Sequence, residues 1–384
     1  MLSTIRIRWR RSITALISLA CPLLLLAGVV ATASPASASS WTTSQLTPPA
    51  SAFRNIASLA TSPTSMEVFW VAQNGSVQEE YWLGTTWSSY TIAPPGSADP
   101  YSDIAAVARV KNAINWTIDL FWVAPDGSIK HRFNGNGLPW LTDPDVAPAG
   151  SAAAPGASMT VVSRAPNTWE LFWLGPNTEI KDAYWYQGGP SGSFTLAAAG
   201  PSTPTLNPRQ ITAVSRASNT MEVWWIGKNG SVQDAYYYDT AGWNSFQLAA
   251  PGSAYVGNPP GQITAVSRAS NTMEVWWIGP AHSVQDAYIF LPGTWNFFTL
   301  EPAGSAEFAL AATSQAASSM DVFFRANGGN EVENASFVPP WSPPKPLEPP
   351  GPLDTGGITA ISRTPASEDA FWVTWNGAIE HASK

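Results

Sequence analysis

Asn219-Thr-Met-Glu-Val-Trp-Trp-Ile-Gly227 returns fifty-two residues later as Asn271-Thr-Met-Glu-Val-Trp-Trp-Ile-Gly279. Each copy is preceded by Gln-Ile-Thr-Ala-Val-Ser-Arg, ending at Arg216 and Arg268, and followed by Ser-Val-Gln-Asp-Ala-Tyr, ending at Tyr236 and Tyr288. Looser copies centre on Met66-Glu-Val-Phe-Trp70, Ile118-Asp-Leu-Phe-Trp122, Trp169-Glu-Leu-Phe-Trp173, Met320-Asp-Val-Phe-Phe324 and Glu368-Asp-Ala-Phe-Trp372. With the acid as register mark, Glu67, Asp119, Glu170, Glu222, Glu274, Asp321 and Asp369 are spaced by 52, 51, 52, 52, 47 and 48 residues. A fixed period of this length replaces the two or three domains that 384 residues would otherwise suggest with one array of seven units.

Within a unit, four short segments rich in β-branched and aromatic residues read as strands: Ile211 to Arg216, Met221 to Ile226, Ser231 to Tyr238 and Trp243 to Leu248. Asn74-Gly75, Asp126-Gly127 and Asn229-Gly230 supply the positive φ of a tight hairpin between second and third strands. Units of about 50 residues cannot bury both faces alone, and radial stacking is the solution that also protects their edges. The expected fold is therefore all-β: a seven-bladed β-propeller of four-stranded antiparallel blades. The repeats fall near 53–98, 103–152, 157–203, 209–254, 261–306, 307–351, and 356–384 joined to 39–52. The last unit reaches Lys384 after three strands, while Trp41-Thr-Thr-Ser-Gln-Leu46 has the spacing of the outer strand Trp87-Ser-Ser-Tyr-Thr-Ile92, so the N-terminal strand is expected to complete the last blade and close the ring.

Residues 1–38 differ from the rest. Arg6, Arg8, Arg10 and Arg11 precede an apolar run from Ile13 to Ala31, and Ala36-Ser37-Ala38 is a small-x-small cleavage signal, the pattern of a secretory signal peptide. Ser18-Leu19-Ala20-Cys21 faintly resembles a lipobox and Arg10-Arg11 a twin-arginine signal, alternatives that would change the export route and not the fold. Removing these residues leaves 15 basic against 27 acidic side chains, a charge near −12 that argues against nucleic acid and anionic membrane surfaces as partners. No second apolar stretch is long enough to cross a bilayer, so no membrane insertion is expected. Cys21 is the only cysteine, so the secreted form is expected to have neither disulfides nor cysteine-held metals.

Catalytic chemistry finds little support. His131, His282 and His381 stand in different blades at no evident common place, with no zinc-type spacing, and neither a nucleophile elbow nor a phosphate loop is present. The repeated polar residues are the better lead. Arg109, Arg164, Arg216, Arg268 and Arg363 end the first strand, and Asp119, Glu170, Glu222, Glu274 and Asp369 follow across the turn; Thr61 and Gln315 replace the arginine in two units. A cation and an anion at one rim can donate to and accept from sugar hydroxyls, and a tryptophan offers a flat face to the ring. An ion-paired strut between blades explains the same residues equally well. Trp87, Trp243 and Trp295, on outer strands, are platform candidates along with Trp41, Trp140 and Trp341; Trp70, Trp122, Trp173, Trp225, Trp277 and Trp372 are better read as inter-blade core. Glu79, Asp182, Asp234 and Asp286 on third strands fit ligand contact or a solvated strand face.

The repeated Ile-Thr-Ala-Val-Ser-Arg, Met-Glu-Val-Trp-Trp-Ile-Gly, Gly-Ser-Val-Gln-Asp-Ala-Tyr and Trp-x-x-Phe-x-Leu-Ala-x-Pro-Gly-Ser-Ala segments resemble the PLL-type bacterial lectins, and more distantly the fungal fucose-specific lectins. The likeness spans residues 39–384. It implies seven blades, fucose or O-methylated sugars held between neighbouring blades, no cofactor, and frequent homo-oligomers; the arginine and acid positions would be the sugar-contacting pair. The departures at Thr61, Gln315, Ser191 and Pro339 to Pro352 put pockets of the first, third and sixth blades in doubt. The expectation is a secreted, non-enzymatic lectin for glycans or glycoconjugates, with an adhesion scaffold and a glycan-active enzyme as alternatives.

Overall fold

Seven four-stranded antiparallel sheets account for the strands of the described residues. The computed structural model describes residues 41–110, 116–136, 139–204, 210–239, 241–328, 331–347 and 356–384; the expected leader, most of the insertion at 111–117 and residues 348–352 of the Pro-rich stretch lie outside them. Blade 4 is typical: Ile211–Val214, Thr220–Ile226, Val232–Tyr238 and Gly242–Ala249, paired in chain order from inner to outer strand. Blade 7 departs from chain order, because Thr42–Thr47 pairs antiparallel with Ile379–Ser383 and supplies its outer strand. The N-terminal strand thus closes the ring, as the Trp41 spacing predicts.

Inner strands contact one another in sequence order around the axis, and the seventh contacts the first. They enclose a cavity of 220 Å³ lined by Ile56, Ala57 and Ser58 of blade 1 and by the matching Ile, Leu, Met, Thr and Ala residues of the other blades. Small and β-branched side chains stand here because seven strands converge. The second strands, where the blades diverge, carry the bulk: Trp173, Trp224, Trp276 and Trp372 are fully buried.

One device ties each blade's turn to the tail of its own outer strand, and a second joins neighbouring blades. The turn glycines combine a positive φ with a close approach: Gly75 has φ 77°, and a Cβ there would stand 2.7 Å from the Ala98 carbonyl oxygen. The Gly75 carbonyl accepts from Ala98 N–H at 2.9 Å, and Gly377 does the same for Ala52 at 2.8 Å across the closure. The second device is a latch. Trp70, Trp122, Trp173, Trp225 and Trp277 donate Nε1–H to the carbonyls of Ser51, Ser97, Ser151, Ser202 and Ser253, in the tail of the preceding blade, at 2.7–3.0 Å. These five are inter-blade core, which is why they recur whether or not the arginine does.

Candidate functional site

Each outer-strand tryptophan crosses a seam. Trp87, Trp140, Trp243, Trp295, Trp341 and Trp41 pack edge-on against Phe371, Phe69, Phe172, Trp224, Trp276 and Phe323 of the preceding blade, with centroids 5.6–6.3 Å apart. Blade 3 has Ser191 at this place, and Trp169 fills the gap by packing on Phe121 at 5.0 Å. All six outer tryptophans are half-buried, with one face committed to the fold.

Among the described residues, two seams open into cavities at equivalent register. Between blades 4 and 5, a cavity of 410 Å³ is lined by Glu222, Tyr236, Tyr238 and Phe246 of one blade and Met273, Ile289, Leu291 and Trp295 of the next. Between blades 2 and 3, one of 440 Å³ is lined by Arg109, Thr117, His131, Phe133 and Asp143, facing Asn167, Trp169, Trp185 and Gln187. Trp169 and Trp185 occupy the register of Met273 and Ile289, and Phe133 that of Tyr236. Both volumes lie in the roughly 300–1,000 Å³ range of small-ligand sites. Of the residues singled out from the sequence, Glu222, Trp295 and Arg109 line these two cavities; Trp87 and Trp243 serve their seams. Tyr236, Tyr238, the exposed Phe246 and Trp185 escaped the sequence reading, although the Ala-Tyr ending of the third-strand motif marks the Tyr236 register in blades 3, 4 and 5.

The arginines act largely as struts. Arg109 makes a two-pronged pair with Asp119 and stacks on Trp185 of the next blade at 4.6 Å. Arg268 pairs with Glu274 at 3.0 Å, and Arg363 with Asp369 at 2.7 Å. Arg164 stands 3.5 Å from Glu170, with Tyr186 donating to the same carboxylate at 2.8 Å. In blade 4, Tyr238 donates to Glu222, and Arg216 stacks over that ring while donating to the Ser270 carbonyl of blade 5 at 2.7 Å. Next-blade contacts recur at Arg164 to Asp239, Arg268 to Ala317 and Arg363 to Pro63. An arginine so placed ties two blades while fixing the acid that faces the seam.

Two readings of the sequence need correction. The third-strand acids Glu79, Asp182, Asp234 and Asp286 are buried, not on a solvated face. His131 and His381 do share a place: each lies opposite the second-strand aromatic, at the register of those acids, whereas His282 sits in a turn. Burial dominates the electrostatics. It pushes Glu170, Glu222 and Glu274 up to about 7, although arginine or tyrosine partners pull them back. It pushes Asp182 to about 9, with the Glu170 charge adding to the effect. Among the described residues, no group of three or more His, Cys, Asp or Glu side chains is arranged to hold a metal ion, and no helix is long and apolar enough to cross a membrane.

No protein-family model and no curated protein matches the sequence. Solved structures do match. The BP39L lectin from Burkholderia pseudomallei superposes with a TM-score of 0.76 at 19% identity, over 88% of this chain and 96% of that one. Aleuria aurantia lectin, in complex with alpha-methyl-L-fucoside, gives 0.56 at 19% identity over 80% and 100% of the two chains. SapL1 lectin, in complex with alpha methyl fucoside, gives 0.54 at 17% identity over 78% and 97%. The Aleuria lectin has six blades, so its whole length matches only part of the seven-bladed ring. In fold, this chain is a propeller of the kind these lectins share.

Proposed function

We propose that the protein is a secreted, multivalent lectin that binds fucose or O-methylated sugars in pockets between neighbouring blades. The observation that carries this reading is the cavity between blades 4 and 5. Glu222 and the oxygen of the Tyr238 hydroxyl, whose hydrogen goes to Glu222, offer acceptors in its lining, while Tyr236, Phe246 and Trp295 present aromatic surface and Met273, Ile289 and Leu291 an apolar wall. Polar groups fix the hydroxyl pattern, and the apolar wall suits a methyl substituent. The likeness in fold to lectins solved with fucosides supports the same reading. In blades 3 and 4 the second- and third-strand carboxyls are diagonal neighbours buried from water, whereas glycosidases hold theirs about 5 Å or more apart across the scissile bond, which favours binding over turnover. Export rests on the leader pattern of residues 1–38.

A glycan array followed by calorimetry with methyl fucoside tests the proposal. Trp295→Ala and Glu222→Gln should each remove binding at this seam, weakening it by roughly tenfold or more, with the circular dichroism of the folded ring retained. Absence of any glycan binding by the intact protein would overturn the reading.

A further inference from the structure

One register position varies in a way that reports its own protonation. Diagonal to the second-strand acid, the third strand carries Glu79, His131, Asp182, Asp234, Asp286, Asn334 or His381, all buried. In three blades this residue brings a hydrogen to the acid. Asn334 Nδ2 donates to Asp321 Oδ1 at 2.9 Å, and His131 and His381 present Nε2 to Asp119 and Asp369 at 2.8 Å. A carboxylate only accepts, so those ring nitrogens carry the hydrogen. In blades 3, 4 and 5 an aspartate stands there instead: neither oxygen of Asp182, Asp234 or Asp286 makes a well-formed hydrogen bond to a donor among the described residues, although the indole N–H groups of Trp224 and Trp276, equally unpaired, lie close enough to Asp234 and Asp286 to pull them down. Two ionised carboxylates side by side and out of water would leave a buried charge uncompensated. A carboxylic acid restores the donor that histidine and asparagine supply elsewhere.

We propose that Asp182, Asp234 and Asp286 are protonated acids in the native ring at neutral pH, each donating to Glu170, Glu222 or Glu274, and that Asp234 thereby positions the pocket-lining Glu222. The role toward a sugar rests on the lectin reading; the shared proton does not. Burial holds Asp234 and Asp286 well above the usual carboxylate range, reinforced by the adjoining glutamate. Around Asp234, Glu222 on the second strand raises it and the Trp224 indole N–H opposes with a smaller effect than burial; Tyr236 and Tyr238 stand on its own strand and Phe246 on the outer strand, and the Arg216 charge favours an anionic Glu222. Blade 1 is the exception that follows the same logic. Thr61 replaces the arginine and Trp140 donates to Glu79 at 2.8 Å, so the anion moves to Glu79 and the proton to Glu67, pushed up to about 10 by burial.

The pH dependence has a fixed sign. An acid whose native pKa is raised contributes stability that is complete below its unfolded value, near 4, and is lost as pH climbs through the native value, about 9 for Asp182. The test compares Asp182→Asn, Asp234→Asn and Asp286→Asn, combined, with the corresponding triple alanine variant. The asparagine triple should melt with the wild type near pH 7 and lose most of the wild type's decline toward about pH 10. It should also lose most of the infrared carbonyl band of protonated carboxylic acids at neutral pH, keeping the part that buried acids such as Glu67 supply. The alanine triple should melt lower throughout. Asparagine destabilising as much as alanine, or no such band in the wild type, overturns the proposal. For the sugar, Asp234→Asn should keep affinity within about threefold while Asp234→Ala weakens it about tenfold. If the wild type binds no sugar, the lectin reading fails while melting and infrared still decide where the proton is.

Discussion

The seam between blades 4 and 5 and the seam between blades 6 and 7 have the same backbone register and opposite contents. In the first, Met273 and Ile289 leave a cavity beside Glu222 and Trp295. In the second, Glu368 and Lys384 stand at those two positions, with Asp321 and Trp41 in place of Glu222 and Trp295. Lys384 Nζ reaches Asp321 at 2.9 Å and Glu368 at 2.6 Å and lies 4.6 Å over the Trp41 ring. Gln315, where blade 4 has Arg216, donates to both acids at 3.0 and 2.6 Å. The repeat therefore builds the frame of every seam, while two side chains from the following blade decide whether the space stays open or the chain's own cation fills it.

The largest expected effect separates the seams by how they are held. Deleting residues 41–52 removes the outer strand of blade 7, the Trp41 ring and the Ser51 latch on Trp70, and leaves every contact between blades 4 and 5. Calorimetric melting should register a loss of roughly 5 kcal/mol or more from the apolar area exposed. Unchanged melting would mean that closure is not what stabilises the ring.

A smaller effect sharpens what the cation contributes. Arg268 and Glu274 form a buried pair, with side chains 5% and 6% exposed, so Arg268→Ala strands a buried acid and should cost about 3 kcal/mol. Arg216 has a stacked tyrosine and one carbonyl instead, and its Nε is buried without a partner; Arg216→Ala should cost about 1 kcal/mol. Urea unfolding of the two variants measures the difference. Equal costs would show that the strut, rather than the ion pair, is what each arginine provides.

The seams also show how far the sequence can be read. Strand order, ring closure and the latch tryptophans follow from periodicity alone, because a 52-residue repeat forces equivalent residues into equivalent places. The equivalence of His131 and His381 was present as a fixed offset: each lies 12 residues after its acid, like Asp234 after Glu222. It stays hidden while histidine and aspartate are sorted by chemistry, since a donor to a buried carboxylate is what the position requires and either type can supply it. The cavities were less legible for a different reason. Their walls come from two consecutive repeats, so a residue such as Ile289 reads as ordinary third-strand core until the preceding blade is set beside it.

The smallest effect on stability, and the most direct test of the comparison, is an exchange between the two seams. Lys384→Ile with Glu368→Met gives the seam between blades 6 and 7 the wall residues of the open one. Glu368 is pushed up to about 9 by burial and the Asp321 charge, so removing it with Lys384 takes away a strained acid together with its cation. Stability should therefore change by only about 1 kcal/mol. With the ammonium gone, Asp321 keeps its bonds from Gln315 and Asn334 but loses one donor that a sugar hydroxyl can replace, and calorimetric titration with methyl fucoside should count one more site. The reverse pair, Met273→Glu with Ile289→Lys, should remove one site between blades 4 and 5. If both variants fold and the stoichiometry follows neither exchange, the opening of a seam is set elsewhere, with Gln315 and the shortened outer strand Lys345–Pro346 of blade 6 as the next differences to exchange. A count that rises in one variant and falls in the other would locate the control of valency in these two positions of a fixed frame.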